Sequence, residues 1–302
     1  MADKRRAVVL GGGGPVGVAW ELGLAAGLAS GGVDLTRADL VVGTSAGSLA
    51  GAMLTSGDDP GQLVADIEAL FAGGVGGSGA DQVPEAALAE FMEMTFAWGS
   101  IGDDPDAKAE HTRKIGAFAL AADTISEDAF VGAIGSVMAG RPWPAPFACT
   151  SVDSATGDFT VWDAAANVPL ERAIASSCSV PGVYPPITIG DSRYMDGGAR
   201  SALNADLAAG YDVAVVVSVT VMELPPGIDD PRIAAYLATQ KAEIAALEAS
   251  GTTVEVIVPD LDFLMVSNFG LSLMDFSTIA SSAEVGTRLG KQEAGRIGAA
   301  WE

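Results

Sequence analysis

The stretch "ADLVVGTSAGSLAGAML", residues 38–54, decides the fold. Ala38 to Gly43 is an apolar run suited to a strand, and Ala46 to Gly57 reads as a helix of small residues that ends at a glycine. Between them Gly43, Ser45 and Gly47 spell G-x-S-x-G. In a strand-to-helix turn this pattern describes a nucleophile elbow. The glycines permit a tight, strained turn, and the serine hydroxyl is lifted toward substrate at a helix N-terminus, where developing negative charge is favoured. The bland alternative is a turn of small residues in which Ser45 only caps the helix.

Upstream, "AVVLGGGGPVGVAWELGL", residues 7–24, supplies a second strand–glycine–helix unit, with a strand over Arg6–Leu10 and a helix over Val16–Ser30. Gly12, Gly14 and Gly17 match G-x-G-x-x-G, the dinucleotide-binding fingerprint. That reading also needs an acidic residue closing the next strand, to meet a ribose. The next strand instead closes on Gly43-Thr44-Ser45. A P-loop fails outright, because Val18 and Ala19 stand where Lys and Ser/Thr belong.

Two successive units of this kind predict an α/β fold, a parallel sheet with helices packed on it. Residues 59–140 read as helical, interrupted by a loop at 71–84, and "RPWPAP" (141–146) as a rigid connector. "FACTSVD" and "DFTVW" form one expected hairpin, and "ITIGDSRYMDGG" another that turns at Gly190-Asp191. "DVAVVVSVT" (212–220) reads as a strand buried on both faces. A helix over 231–250, a strand at "TVEVIV" and a C-terminal helix from Ser277 complete the pattern. One α/β domain over 1–302, with a helical insertion at about 60–140, is the simplest organisation.

Composition narrows the function classes. The chain is 49% hydrophobic, enough for a sizeable core, yet no uninterrupted apolar run reaches the ~18 residues of a spanning helix. A net charge of −23 argues against nucleic acid and against adsorption to an anionic membrane by charge alone. Cys149 and Cys178 are the only cysteines, which predicts two free thiols in a reducing compartment and no metal cluster. The basic run in "MADKRRAVVL" looks like the start of a signal peptide, but glycines and Glu21 break the apolar segment that would follow. The expected location is the cytoplasm.

A serine nucleophile needs a base. The single histidine, His111, lies in the charged stretch "KAEHTRK" and reads as a solvated surface imidazole. Either Ser45 is not catalytic or its base is a carboxylate. "RYMDGGARS" offers Asp196, after a strand-like segment and before Gly197 and Gly198. An aspartate beside glycine is also an ordinary turn residue.

Taken in order, "GGGGPVG", "GTSAGS" and "DGG" resemble the patatin-like phospholipase family. The likeness continues through "ASSCSVPGVYPPITIGDSRYMDGGARSALNADLA" and is weakest over the helical region 60–140. It implies a three-layer α/β/α fold and a serine lipid acyl hydrolase without metal or organic cofactor. It further implies Ser45 as nucleophile and Asp196 as its base. An oxyanion hole would come from backbone N–H groups of Gly12, Gly13 and Gly14, with Gly17, Gly43, Gly47, Gly197 and Gly198 as motif glycines. Where many relatives carry Arg or Lys in the glycine loop, this chain has Pro15 and Val16. The implied partner is a lipid or acyl ester, with transient membrane contact through apolar surface. "FMEMTFAW" (91–98) and "FLMVSNFGLSLMDF" (263–276) are candidates for an acyl groove or lid, against ordinary core packing. The competing readings are a dinucleotide-binding protein and a catalytically silent lipid binder.

Overall fold

The computed structural model describes residues 4–72, 84–102, 104–138, 140–224 and 229–302. Strand β1 (Arg6–Leu10) leads into helix α1 (Gly14–Ser30), and β2 (Leu40–Gly43) into α2 (Ala46–Thr55). Four helices follow: α3 (Pro60–Ala72), α4 (Glu85–Trp98), α5 (Pro105–Ala121) and α6 (Glu127–Met138). The loop expected at 71–84 lies, apart from its ends, outside the described residues. Then come β3 (Phe147–Asp153), β4 (Phe159–Trp162), α7 (Leu170–Ser177), β5 (Ile187–Ile189), β6 (Ser192–Asp196) and β7 (Val213–Val217). The chain closes with α8 (Pro231–Ala249), β8 (Thr253–Ile257), α9 (Leu261–Val266) and α10 (Ile279–Trp301).

The strands form one sheet in the order β5-β6-β3-β2-β1-β7-β8, with β4 paired to β3. β3, β2, β1, β7 and β8 are mutually parallel, while β4, β5 and β6 join antiparallel at one side. Both expected hairpins are present, and β7 is buried along its whole length between β1 and β8. α9 was not anticipated from sequence. Its six residues fall inside an apolar run whose period does not separate helix from loop.

Helices cover the sheet, and the first and last of them pack unusually close. A Cβ built on Gly23 or Gly27 of α1 would lie 2.2 Å from the carbonyl oxygen of Ala283 or Thr287 on α10. Side-chain-free faces therefore let two backbones touch, and α10 lies along α1 over the central strands. Trp20 and Trp301, fully buried, belong to the large core cluster that this pairing seals.

Parallel register places the ends of β1 and β2 side by side, with Leu10 opposite Gly43. The loops after those two carboxyl ends therefore lie side by side, at the end of the sheet where sites of such folds are built. β6 runs the other way and ends with Asp196 opposite Ser151 of β3, close to the same loops.

Candidate active site

Ser45 sits between β2 and α2 with φ 53° and ψ −118°. A non-glycine residue rarely adopts positive φ, and such strain persists only where surroundings impose it. Here they do. A Cβ on Gly47 would lie 2.1 Å from the Leu10 carbonyl oxygen, and one on Gly43 would lie 2.3 Å from that of Gly47. Only glycines let α2 start this close to the strand ends, so the turn is forced into the elbow. Hydrogen bonds lock it further. The Ser45 N–H donates to Ser177 Oγ at 3.0 Å, and its carbonyl accepts from Ser48 Oγ at 2.6 Å and Cys178 Sγ at 3.2 Å. No side-chain cap bond comes from Ser45 itself, so its hydroxyl is not spent as an N-cap.

Asp196 is 2% exposed and Ser45 8%. The aspartate's two oxygens divide their work. Oδ1 accepts from the Gly198 N–H at 2.7 Å, which is the turn-capping role sequence suggested. Oδ2 is buried without a well-aligned partner. Burial pushes the carboxyl up to about 7, against the pull of the Gly198 amide and the nearby Ser45 hydroxyl. A carboxyl poised near neutrality is a far better base than an ordinary aspartate.

The glycine loop passes beside the serine: a Cβ on Gly12 would stand 3.5 Å from Ser45 Cβ. Its amides are not equivalent. Gly11 donates to the Val217 carbonyl at 3.0 Å and Gly12 to that of Ala202 at 2.9 Å. Gly12, expected as an oxyanion donor, is thus committed to the protein. Among the described residues nothing accepts from the N–H of Gly13 or Gly14, which open α1. Gly14 holds φ +59°, and a Cβ there would meet the Leu273 carbonyl oxygen at 2.6 Å. Gly17 packs against Val219 and Ala46, and Gly197 against Thr150.

Several residues of the site escape sequence reading. Asn204, fully buried in a left-handed conformation, donates from Nδ2 to Thr44 Oγ1 (2.9 Å) and the Ser201 carbonyl (2.8 Å), with Thr150 Oγ1 at 3.3 Å. Glu243 of α8 accepts from Ser201 Oγ at 2.6 Å and from the Ala205 N–H. Through Ala202 and Asn204 the loop after Asp196 is bolted to both the glycine loop and the elbow. The hint in sequence was only the polar "SALNAD" after the double glycine.

His111 does not join this group. Its Nε2 pairs with the Met94 carbonyl at 2.8 Å and its ring lies 6.1 Å from that of Trp98. It is a half-buried clamp between α4 and α5, not a solvated imidazole. Cys149 and Cys178 are free thiols, both pushed up by burial, Cys178 to about 12. Among the described residues no cluster of His, Cys, Asp and Glu could hold a metal ion, and no helix is long and apolar enough to cross a membrane.

A family model described as patatin-like phospholipase matches residues 8–209. Among solved structures, VipD from Legionella pneumophila is similar at 15% identity and TM-score 0.42, with 82% of this chain aligned to 53% of that one. The type III effector protein ExoU is similar at 16% identity and TM-score 0.38, with 95% of this chain aligned to 53% of that one. This chain spans about half the length of each. No curated protein matches it. The family match takes in the glycine loop, the elbow and Asp196 together, and about two thirds of the 302 residues: the chain belongs to the patatin-like phospholipase family.

Proposed function

We propose that the chain is a serine acyl hydrolase that cleaves acyl esters of lipids, most directly phospholipids, through a Ser45–Asp196 dyad. Asp196 takes the Ser45 proton as Oγ attacks the ester carbonyl. The tetrahedral oxyanion forms against the N–H groups of Gly13 and Gly14 at the start of α1, each such donor being worth ~3 kcal/mol in comparable sites. Asp196 then returns the proton to the leaving alcohol. Water then attacks the acyl-Ser45 ester: Asp196 takes a proton from it and returns that proton to Ser45 Oγ as the fatty acid leaves. With Pro15 and Val16 in the loop, no cationic side chain assists there. The helix N-terminus and the two amides carry that load. The whole described chain works as one unit in this reading, since α8 and α10 hold parts of the site and its support.

One observation carries the proposal. A strained, positive-φ serine stands beside a buried carboxyl whose second oxygen has no well-aligned protein partner. A dinucleotide reading explains neither. The test is labelling with a fluorophosphonate probe alongside hydrolysis of a panel of phospholipids, triglycerides and thioesters. Wild type is expected to label at Ser45, and S45A to lose hydrolysis by on the order of 10⁴-fold. H111A is expected to retain activity. An active S45A protein, or a silent wild type that binds lipid, overturns the proposal.

A further inference from the structure

We propose that the segment 258–276, between β8 and α10, docks the enzyme onto an electrically neutral lipid surface and so presents Ser45 to it. This rests on the acyl-hydrolase reading above. Leu261, Met265, Phe269 and Leu271 are exposed at 66, 64, 54 and 68%, the largest such concentration among the described residues, and Val258 adjoins them. They do not lack a core to join: Phe263, in the same segment, is fully buried and lies 4.9 Å from Trp20, ring to ring. The segment keeps one apolar set inside and holds another out.

The backbone maintains that display at a cost. Asn268, Phe269 and Gly270 are all left-handed, with φ 50°, 55° and 84°. A bulky aromatic in this region is a genuine outlier, and strain of this kind marks functional segments more often than idle ones. Hydrogen bonds from the Phe269 N–H to the Leu264 carbonyl (2.6 Å) and from Ser272 N–H to the Ser267 carbonyl (2.9 Å) hold the turn. The end of the segment touches the catalytic loop. Leu273 O accepts from the Val16 N–H at 3.2 Å and crowds Gly14. An apolar surface gripping Phe269 and Leu271 is therefore held beside the oxyanion amides.

Charge selects the occupant. Residues 242–287 contain no Lys, Arg or His, and Arg288, just beyond, is paired with Asp262. Anchors for anionic lipid carry basic residues beside their apolar ones. This segment carries only acids, in a chain of net charge −23. A zwitterionic surface accepts the apolar side chains without repelling the protein.

The test is flotation with vesicles of ether-linked phosphatidylcholine, which has no ester to cleave, using wild type and the quadruple variant Leu261→Ser, Met265→Ser, Phe269→Ser, Leu271→Ser. Wild type is expected to float, the variant to bind at least about tenfold more weakly. Vesicles mixed equally with phosphatidylglycerol are expected to bind wild type less well at low salt. The circular dichroism spectrum and melting temperature are expected to match in the two proteins, showing an intact fold. The docking proposal falls if the variant floats like wild type, if wild type prefers the anionic vesicles, or if light scattering shows a dimer that the variant splits. Flotation by a wild type unable to cleave p-nitrophenyl butyrate supports docking while sinking the catalytic reading.

Discussion

At the scale of single residues, Asp196 carries the sharpest expectation. Its carboxyl is raised to about 7 because it is buried, and only the deprotonated form can take the Ser45 proton. Activity should therefore fall about tenfold per pH unit below a midpoint near 7, instead of persisting to the pH 4 region of an ordinary aspartate. A pH–rate profile of kcat/KM on a soluble ester reads this directly, and a midpoint below 5 contradicts the burial argument. Stability gives an independent check. The folded pKa lies above the unfolded one, so the penalty of holding this carboxyl is absent below about pH 4, grows as pH rises, and is complete above about pH 7. D196N should be inactive yet more stable than wild type above pH 7, by on the order of 1–3 kcal/mol, with the gain fading in acid. Denaturant unfolding at two pH values measures it. Asp196 was legible in sequence as the candidate base because motif order singled it out. Its pKa was not, because burial belongs to the packed molecule.

At the scale of elements, the loop between β6 and β7 acts as a bracket. It ties the glycine loop through the Ala202 carbonyl, the elbow through Asn204 and Thr44, and α8 through Glu243. Arg200 reinforces it, with its fork on Asp206 (3.0 and 2.8 Å) and a bond to Asn204 Oδ1 at 2.7 Å. Asn204→Ala removes the donor that meets Thr44 and leaves Thr44 and the Ser201 carbonyl without it. It should destabilise by about 1–3 kcal/mol. If the bracket also positions the site, kcat on a soluble ester should fall by roughly tenfold or more while KM stays near wild type. Glu243→Gln, which keeps the shape and one acceptor oxygen, should show the same pattern more weakly. Unchanged kcat in both variants reduces the bracket to a structural tie. Beyond the polar "SALNAD", none of this could be read from the chain. The elbow and both hairpins announce themselves through local turn chemistry, whereas Glu243 reaches the loop from 38 residues away. It also lies outside the stretch that matches the family. His111 was misjudged for a related reason: its charged neighbours in sequence say nothing of α4, which packs on it.

At the scale of the whole molecule, charge and burial act on stability together. With a net charge of −23 the folded chain repels itself, and added salt should raise its melting temperature. Added to this is Glu21 of α1, 2% exposed, with neither carboxyl oxygen holding a well-aligned partner. Burial raises its pKa well above the usual carboxylate range, only partly offset by the Gly11 amide. Glu243 is raised as well, again chiefly by burial. Groups raised in the folded state contribute most below their unfolded pKa and lose that contribution as pH climbs through the folded value. Carboxylates lowered in the folded state, such as Glu127 and Asp153, lose theirs only as pH falls below their unfolded values of 4.5 and 3.8. Between those limits the raised set and the general repulsion among acids slope the same way, so stability should decline from about pH 5 toward pH 8. Glu21→Gln separates burial from overall repulsion, since it removes the titration but only one of many charges. Its melting temperature should exceed that of wild type at pH 8 by at least about 2 °C and converge on it near pH 5. Calorimetry at the two pH values decides: a constant offset between the proteins means that Glu21 does not titrate between its two states, and the decline belongs to the net charge.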